Sequence, residues 1–207
     1  MNDFDLIIVG AGPGGSNAAS VALDAGLRVI QIDSARFPRV KPCAGGVTQK
    51  AAAALRYALD PSVCRSFNAI EFNLSNGRNN RFTHPGPVLH TVCRPAFDNR
   101  LVNENLSRRG FTFMDGRRVT GVEYDRRFVV RTDAGPVTGA QLIGADGAYS
   151  IVSRTFRIGA PRALATAVEI NISFSGLTRP ADSVPASITA RSRTGTAGYF
   201  RKTTIGP

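Results

Sequence analysis

Glycines at 10, 12 and 15, with Ala11, Pro13 and Gly14 between them, follow the apolar run Leu6-Ile7-Ile8-Val9 and precede an alanine-rich stretch. This spacing suits a turn that wraps the diphosphate of a dinucleotide. The first glycine permits the tight turn, the second lets the backbone approach the phosphates, and the third lets the following helix pack on the sheet. A helix opening at that turn offers free N–H groups and its positive dipole end. Asp33 closes the next β-run, where a carboxylate accepts from the hydroxyls of an adenosine ribose. The alternative is a glycine-rich turn in some other α/β fold. The preceding strand, the following helix and the acidic residue favour dinucleotide binding.

Further along, Asp146 and Gly147 follow Gly144-Ala145, with Ser150 and Arg154 beyond them. On its own this is an Asp-Gly turn after a strand. Arg94 stands at the entrance of a helical stretch, where a guanidinium could pair with phosphates. Asp98 in the same stretch could tie that helix down, and Arg100 reads as a surface charge. The two histidines, His84 and His90, lie in a β-rich stretch and read as surface or strand residues. No metal constellation and no Ser-His-Asp arrangement can be drawn from them. Three widely spaced cysteines, Cys43, Cys64 and Cys93, make neither a disulfide framework nor a zinc site.

The elements that must hold these residues follow from periodicity. Residues 5–9 predict a strand buried on both faces, residues 16–25 a helix capped by Gly26, and residues 28–33 a second strand. That is one parallel crossover unit. Two prolines and two glycines make residues 36–47 a loop. Thr48 caps a helix over 49–59. Residues 67–93 predict strands with a turn at Asn76-Gly77. A helix over 95–108 places Phe97, Leu101, Val102 and Leu106 on one face. Strands are expected near 111–114, 118–125, 127–133, 136–138 and 140–145, a helix from Ser150, and a strand over 163–175.

Three segments resemble motifs of known flavoproteins. Gly144-Ala145-Asp146-Gly147 with Ser150 and Arg154 is similar to the second motif of the aromatic-hydroxylase-like flavoproteins. Arg94-x-x-Phe97-Asp98-x-x-Leu101 resembles another of their elements. Phe37-Pro38-Arg39-x-Lys41-Pro42-Cys43-Ala44-Gly45-Gly46 resembles the loop of the geranylgeranyl reductase family, with Ala44 where glycine is usual. The resemblance implies an α/β fold: an FAD/NAD(P)-binding Rossmann-like domain over 1–66 and 94–160, and part of a β-rich substrate domain over 67–93 and 161–207. It implies FAD as cofactor, held by Gly10, Gly12, Pro13, Gly14, Gly15, Asp33, Arg39, Arg94, Asp146 and Gly147, and NAD(P)H as reductant. The reaction it implies is saturation of isoprenoid C=C bonds. Cys43 matches a cysteine placed near the flavin; a small buried residue at a tight turn is the other reading. Flavin monooxygenases and halogenases share the scaffold and remain the alternative, together with an inactive truncated fragment.

That family runs to about twice this length and carries a third element, a Gly-Asp at a later helix start, which this chain lacks after residue 147. The back-translated tail from Thr194, read in a shifted frame, can encode a segment resembling the Gly-Tyr-x-Trp-x-Phe-Pro-Lys stretch of the same family. A frameshift and an inefficient short chain are therefore expected.

The 207 residues carry a net charge of +11. Such a balance suits nucleic acid, phosphorylated substrates or an anionic membrane surface. Only three of the 26 basic residues are lysine and the arginines form no block, which argues against a nucleic-acid face. A small-molecule or isoprenoid lipid substrate, a cytoplasmic location and peripheral membrane association are the expectations. The hydrophobic share of 43% excludes a disordered chain, and no apolar run approaches the length of a bilayer span.

Overall fold

Leu6-Ile7-Ile8-Val9 is fully buried, and so is Val29-Ile30-Gln31-Ile32, because both runs lie inside one sheet covered on two faces. The structure, a computed structural model, describes residues 3–74, 79–159 and 187–190. In chain order the elements are β1 (Asp3–Val9), α1 (Pro13–Asp24), β2 (Val29–Ile32), β3 (Gly46–Thr48), α2 (Gln49–Ala54), β4 (Cys64–Phe67), β5 (Ala69–Leu74) and β6 (Asn79–Thr83). Then come β7 (Leu89–Val92), α3 (Arg94–Leu106), β8 (Phe111–Met114), β9 (Val119–Asp125), β10 (Arg127–Thr132), β11 (Gly135–Gly144), α4 (Ile151–Phe156) and β12 (Ser187–Ala190).

Among the described residues, those up to Val40 and those from Pro95 onward to 159 form one unit. Its six-stranded sheet has the order β8-β2-β1-β11-β10-β9. The first four strands are parallel, and β10 and β9 extend them as an antiparallel meander. Strand alternation sorts the core. Ile7, Val9, Ile30 and Ile32 meet Val122, Val130, Val137 and Val152 on one face. Leu6, Ile8 and Val29 meet Ala19, Ala22 and Leu23 of α1 on the other. Each such branched side chain contributes about 1.5–3 kcal/mol by burial. The chain runs from β1 to β2 to β8 in one direction, then returns to the other side of β1 as β11. The order therefore reverses between β1 and β11, the place where open α/β sheets bind ligands at their strand C-termini.

Lys41–Arg94 and Ser187–Ala190 form the second unit, with sheets β3-β7-β4 and β12-β5-β6. Residues 41–66, expected with the nucleotide-binding unit, lie here instead. The reason is that β3 and β4 both pair with β7.

Three further expectations change. The helix after Thr48 stops at Ala54; none of its residues is buried, and so short an alanine run without packing does not propagate. The strands expected at 136–138 and 140–145 are one strand, β11. Gly139 is no break there: a Cβ at this position would sit 2.7 Å from Ile7 Cγ1, so its role is close approach to β1. Helix α1 starts at Pro13 rather than Ser16, with Gly12 as N-cap and proline in the first turn, where its missing N–H costs nothing. The Asn76-Gly77 turn, the strand over 163–175 and the tail from Thr194 lie outside the described residues.

Candidate functional site

The turn after β1 is built by two glycines and left open by two others. Gly10 has φ +102°, and a Cβ on it would lie 2.3 Å from the Ala145 carbonyl oxygen just beyond β11. A Cβ on Gly15 would lie 2.1 Å from the Gly10 carbonyl oxygen. Those glycines serve the protein's own packing. A Cβ on Gly12 would meet nothing closer than Arg39 Nη2 at 3.7 Å, and one on Gly14 would meet nothing within 4 Å. These two form a cradle in front of the N-terminus of α1. The first helical hydrogen bond runs from Ser16 N–H to the Gly12 carbonyl at 3.0 Å. The N–H groups of Gly14 and Gly15 precede it, and a helix start leaves such donors for caps or ligands.

The turn is braced from beneath. Gln31, fully buried in β2, donates from Nε2 to the Gly10 carbonyl at 2.9 Å. Asn105 of α3, also fully buried, donates to the Ser16 carbonyl at 2.9 Å and accepts from Ser20 Oγ at 2.8 Å. Leu106, expected on the buried face of α3, is exposed, and Asn105 takes that place. The polar member of an apolar β-run was the available sign of Gln31. Nothing local marked Asn105.

Asp33 follows β2 and faces the turn. Its Oδ2 accepts from Ala11 N–H at 2.8 Å and its Oδ1 from Ala35 N–H at 2.9 Å. Arg39 reaches the same carboxylate at 3.9 Å and makes a 3.1 Å ion pair with Asp98 of α3. Asp98, expected to tie down its helix, is fully buried and holds a guanidinium at the turn. The Phe37 ring lies 5.1 Å from Arg39 Cζ.

Asp146 stands at the C-terminal edge of β11. Its Oδ2 accepts from Ile151 N–H at 2.7 Å, while Oδ1 is buried without a hydrogen-bond partner among the described residues. A buried carboxylate oxygen left this way calls for a donor from water or a ligand. Gly147 has φ +84°, and Ser150 caps α4 by accepting from Ser153 N–H at 2.9 Å. The structure thus gathers Gly10, Gly12, Gly14, Gly15, Asp33, Arg39 and the Ala145-Asp146 edge. This cradle, with its helix start, guanidinium, and acceptors on both sides, fits the adenosine and diphosphate of a dinucleotide. Arg94 opens α3, as expected.

Cys43 belongs to the second unit. Its Sγ accepts from Gly45 N–H at 3.4 Å. Gly45, at φ +71°, packs so closely on β7 that a Cβ would lie 2.1 Å from the Val92 carbonyl oxygen. His90 of β7 is buried between Ser66 Oγ, 2.8 Å from Nδ1, and Gln49 Oε1, 2.7 Å from Nε2, and burial pushes its pKa down. Burial pushes the Cys64 thiol up. Among the described residues no group of side chains could hold a metal ion.

The family profile described as FAD binding domain matches residues 3–204. A menaquinone reductase of Mycolicibacterium smegmatis is 35% identical over 160 residues, covering 72% of this chain and 39% of that protein. Digeranylgeranylglycerophospholipid reductase 1 of Methanopyrus kandleri is 30% identical over 164 residues, covering 74% of this chain and 42% of that protein. The crystal structure of a geranylgeranyl bacteriochlorophyll reductase-like protein from Thermoplasma acidophilum shares the fold with a TM-score of 0.63 and 21% identity, covering 71% of this chain and 40% of that one. The chain spans about two fifths of the length of these relatives.

Proposed function

The chain belongs to the FAD binding domain family, and from that premise we propose that it holds FAD at the turn between β1 and α1 and forms part of a reductase of isoprenoid C=C bonds. The observation that carries the cofactor site is the division among the glycines. The protein's own packing demands Gly10 and Gly15, whereas Gly12 and Gly14 leave room that a ligand's phosphates would fill. The N–H groups of Gly14 and Gly15 would hold the diphosphate, with Pro13 fixing the helix start. Arg39 adds positive charge beside Gly12, and Arg94 enters this reading only through the resemblance of its motif. Asp33 retains lone pairs for ribose hydroxyls after accepting from Ala11 and Ala35. Asp146 Oδ1 takes a donor from the ligand or an ordered water, and Gly147 gives the turn that exposes it.

Bound FAD supplies a centre that takes a hydride from NAD(P)H and delivers one to an alkene. For this chain's own residues, the reading assigns Cys43 Sγ to hold a proton for the reduced double bond, on a loop whose course Gly45 fixes. The substrate class rests on the Phe37–Val47 loop and on relatives named as reductases of a menaquinone and of a digeranylgeranyl lipid.

Fluorescence titration of FAD into the purified chain tests the cofactor site. Saturable one-to-one binding is expected, and an absence of binding overturns it. A single-turnover incubation of excess FAD-loaded, chemically reduced chain with geranylgeranyl diphosphate, long enough for an inefficient chain to act and read by mass spectrometry, tests the substrate class. A mass gain of one hydrogen molecule per double bond supports it, and none counts against it.

A further inference from the structure

We infer that Asp98 is a positioning residue that keeps Arg39 off Asp33, and so keeps the Asp33 carboxylate free for the cofactor's ribose. The inference rests on the reading of Asp33 as the ribose acceptor. Arg39 lies between two carboxylates. It bonds to Asp98 at 3.1 Å and comes only to 3.9 Å of Asp33. Both its side chain and that of Asp33 are 12% exposed, and Asp98 is 0% exposed. In so dry a place a guanidinium, which cannot shed its proton, must have an anion.

The surroundings leave Arg39 a short reach. Its Cζ lies 5.1 Å from the Phe37 ring, and that ring packs edge-on against Phe113 at 5.3 Å. Phe37 is itself pinned by its N–H to Asp115 Oδ2 at 3.0 Å. With the Asp98 charge removed, Asp33, already 3.9 Å away, is an anion within reach. Both Asp33 oxygens already accept a backbone N–H. A guanidinium fork closing on the same carboxylate would take the remaining lone pairs, which ribose hydroxyls need. The Phe37-Pro38-Arg39 loop and the Arg94-x-x-Phe97-Asp98 helix are thereby one device, although they lie far apart in sequence.

The test compares the affinity of the chain for ADP with that for 2′,3′-dideoxy-ADP, by calorimetry, in four forms. The unsubstituted chain should prefer ADP by about tenfold or more, the value of hydrogen bonds to a charged acceptor. Asp98→Asn should reduce that preference to within about threefold, because Arg39 now occupies Asp33. Arg39→Met should weaken both ligands yet keep the preference. The double variant Asp98→Asn/Arg39→Met should regain it, since no cation remains to close on Asp33. A purely structural clamp predicts the opposite pattern: Arg39→Met and the double variant would lose the preference along with Asp98→Asn. That pattern, or a preference retained in Asp98→Asn, overturns the inference. Should Asp98→Asn fail to fold by circular dichroism, Asp98→Ser takes its place, with the same loss of preference expected. No preference for ADP in the unsubstituted chain overturns the reading of Asp33 itself.

Discussion

A side chain at Gly12 and a side chain at Gly15 would meet different neighbours, and the two substitutions should therefore fail differently. Gly15→Ala drives its new methyl into the Gly10 carbonyl 2.1 Å away, so the β1 turn or α1 must shift. Overpacking of this kind costs about 1–3 kcal/mol, which a urea melt would register. Gly12→Val finds open space at Cβ and should melt like the parent, yet its methyls occupy the ground the diphosphate needs. Its FAD affinity should fall at least about tenfold, as expected when charge-assisted hydrogen bonds are lost. Equal FAD affinity in Gly12→Val would remove the diphosphate from this turn. His90 gives a pH prediction. Gln49 Oε1 accepts from Nε2–H, so Nδ1 accepts from the Ser66 hydroxyl, and the buried ring is held neutral with its pKa lowered. A folded pKa below the unfolded value of about 6.5 makes the contribution of His90 complete above that pH. The contribution is lost as pH falls from about 6.5 through the lowered folded value. Thermal melts between roughly pH 7 and pH 5 should show this decline, and His90→Asn should flatten it. The same decline in His90→Asn would assign it elsewhere. The glycine spacing already assigns close packing to Gly15 and phosphate approach to Gly12; it does not show the neighbours Ala145 and Arg39, which arrive from distant segments.

Helices α1 and α3 meet through polar groups where most helix pairs meet through apolar ones. Ser20 Oγ donates to Asn105 Oδ1, Asn105 Nδ2 donates to the Ser16 carbonyl, and Arg108 Nη1 donates to the Ser20 carbonyl at 2.9 Å. Ser16, Ser20 and Asn105 are fully buried, so the desolvation of each is offset only while the others are in place. Asn105→Ala should cost about 1–3 kcal/mol in a denaturant melt. Ser20→Ala added to it should cost much less than it does alone, because the two share one bond. Additive losses would mean that the helices are held by something other than this clasp. The β1-α1-β2 unit was legible in sequence because its strands are continuous apolar runs and its glycines sit at the turn. The clasp was not, because Asn105 stands beside Leu106 and hydropathy favours burying the leucine. β11 was half legible: Gly139 reads as a break unless Ile7 of the neighbouring strand is known to need its space. The boundary of the two units was misplaced for the same kind of reason. Residues 46–48 and 64–67 carry no mark in themselves of pairing with β7.

At the scale of the molecule, the charge of +11 is the feature that the cradle, with Asp33, Asp98 and Asp146 around one anionic ligand, does not use. The exposed arginines, among them Arg56, Arg81, Arg109, Arg117, Arg118 and Arg126, are spread over both units. No helix among the described residues is long and apolar enough to cross a membrane. Scattered cations attract an anionic bilayer collectively, each worth about 1 kcal/mol near the surface, and the attraction decays over the Debye length, about 30 Å at 0.01 M salt and 3 Å at 1 M. The chain should therefore sediment with phosphatidylglycerol vesicles at low salt, leave them at roughly 0.5 M, and ignore neutral phosphatidylcholine vesicles. Because no block of arginines exists, Arg126→Glu should shift the midpoint of release only slightly. Bound FAD, held by the directional contacts of the cradle, should stay bound across the same salt range. Binding to neutral vesicles, or retention at roughly 1 M salt, would show apolar insertion in place of charge. Phe72 and Phe82, 41% and 54% exposed on the paired strands β5 and β6, would then be the side chains to replace first.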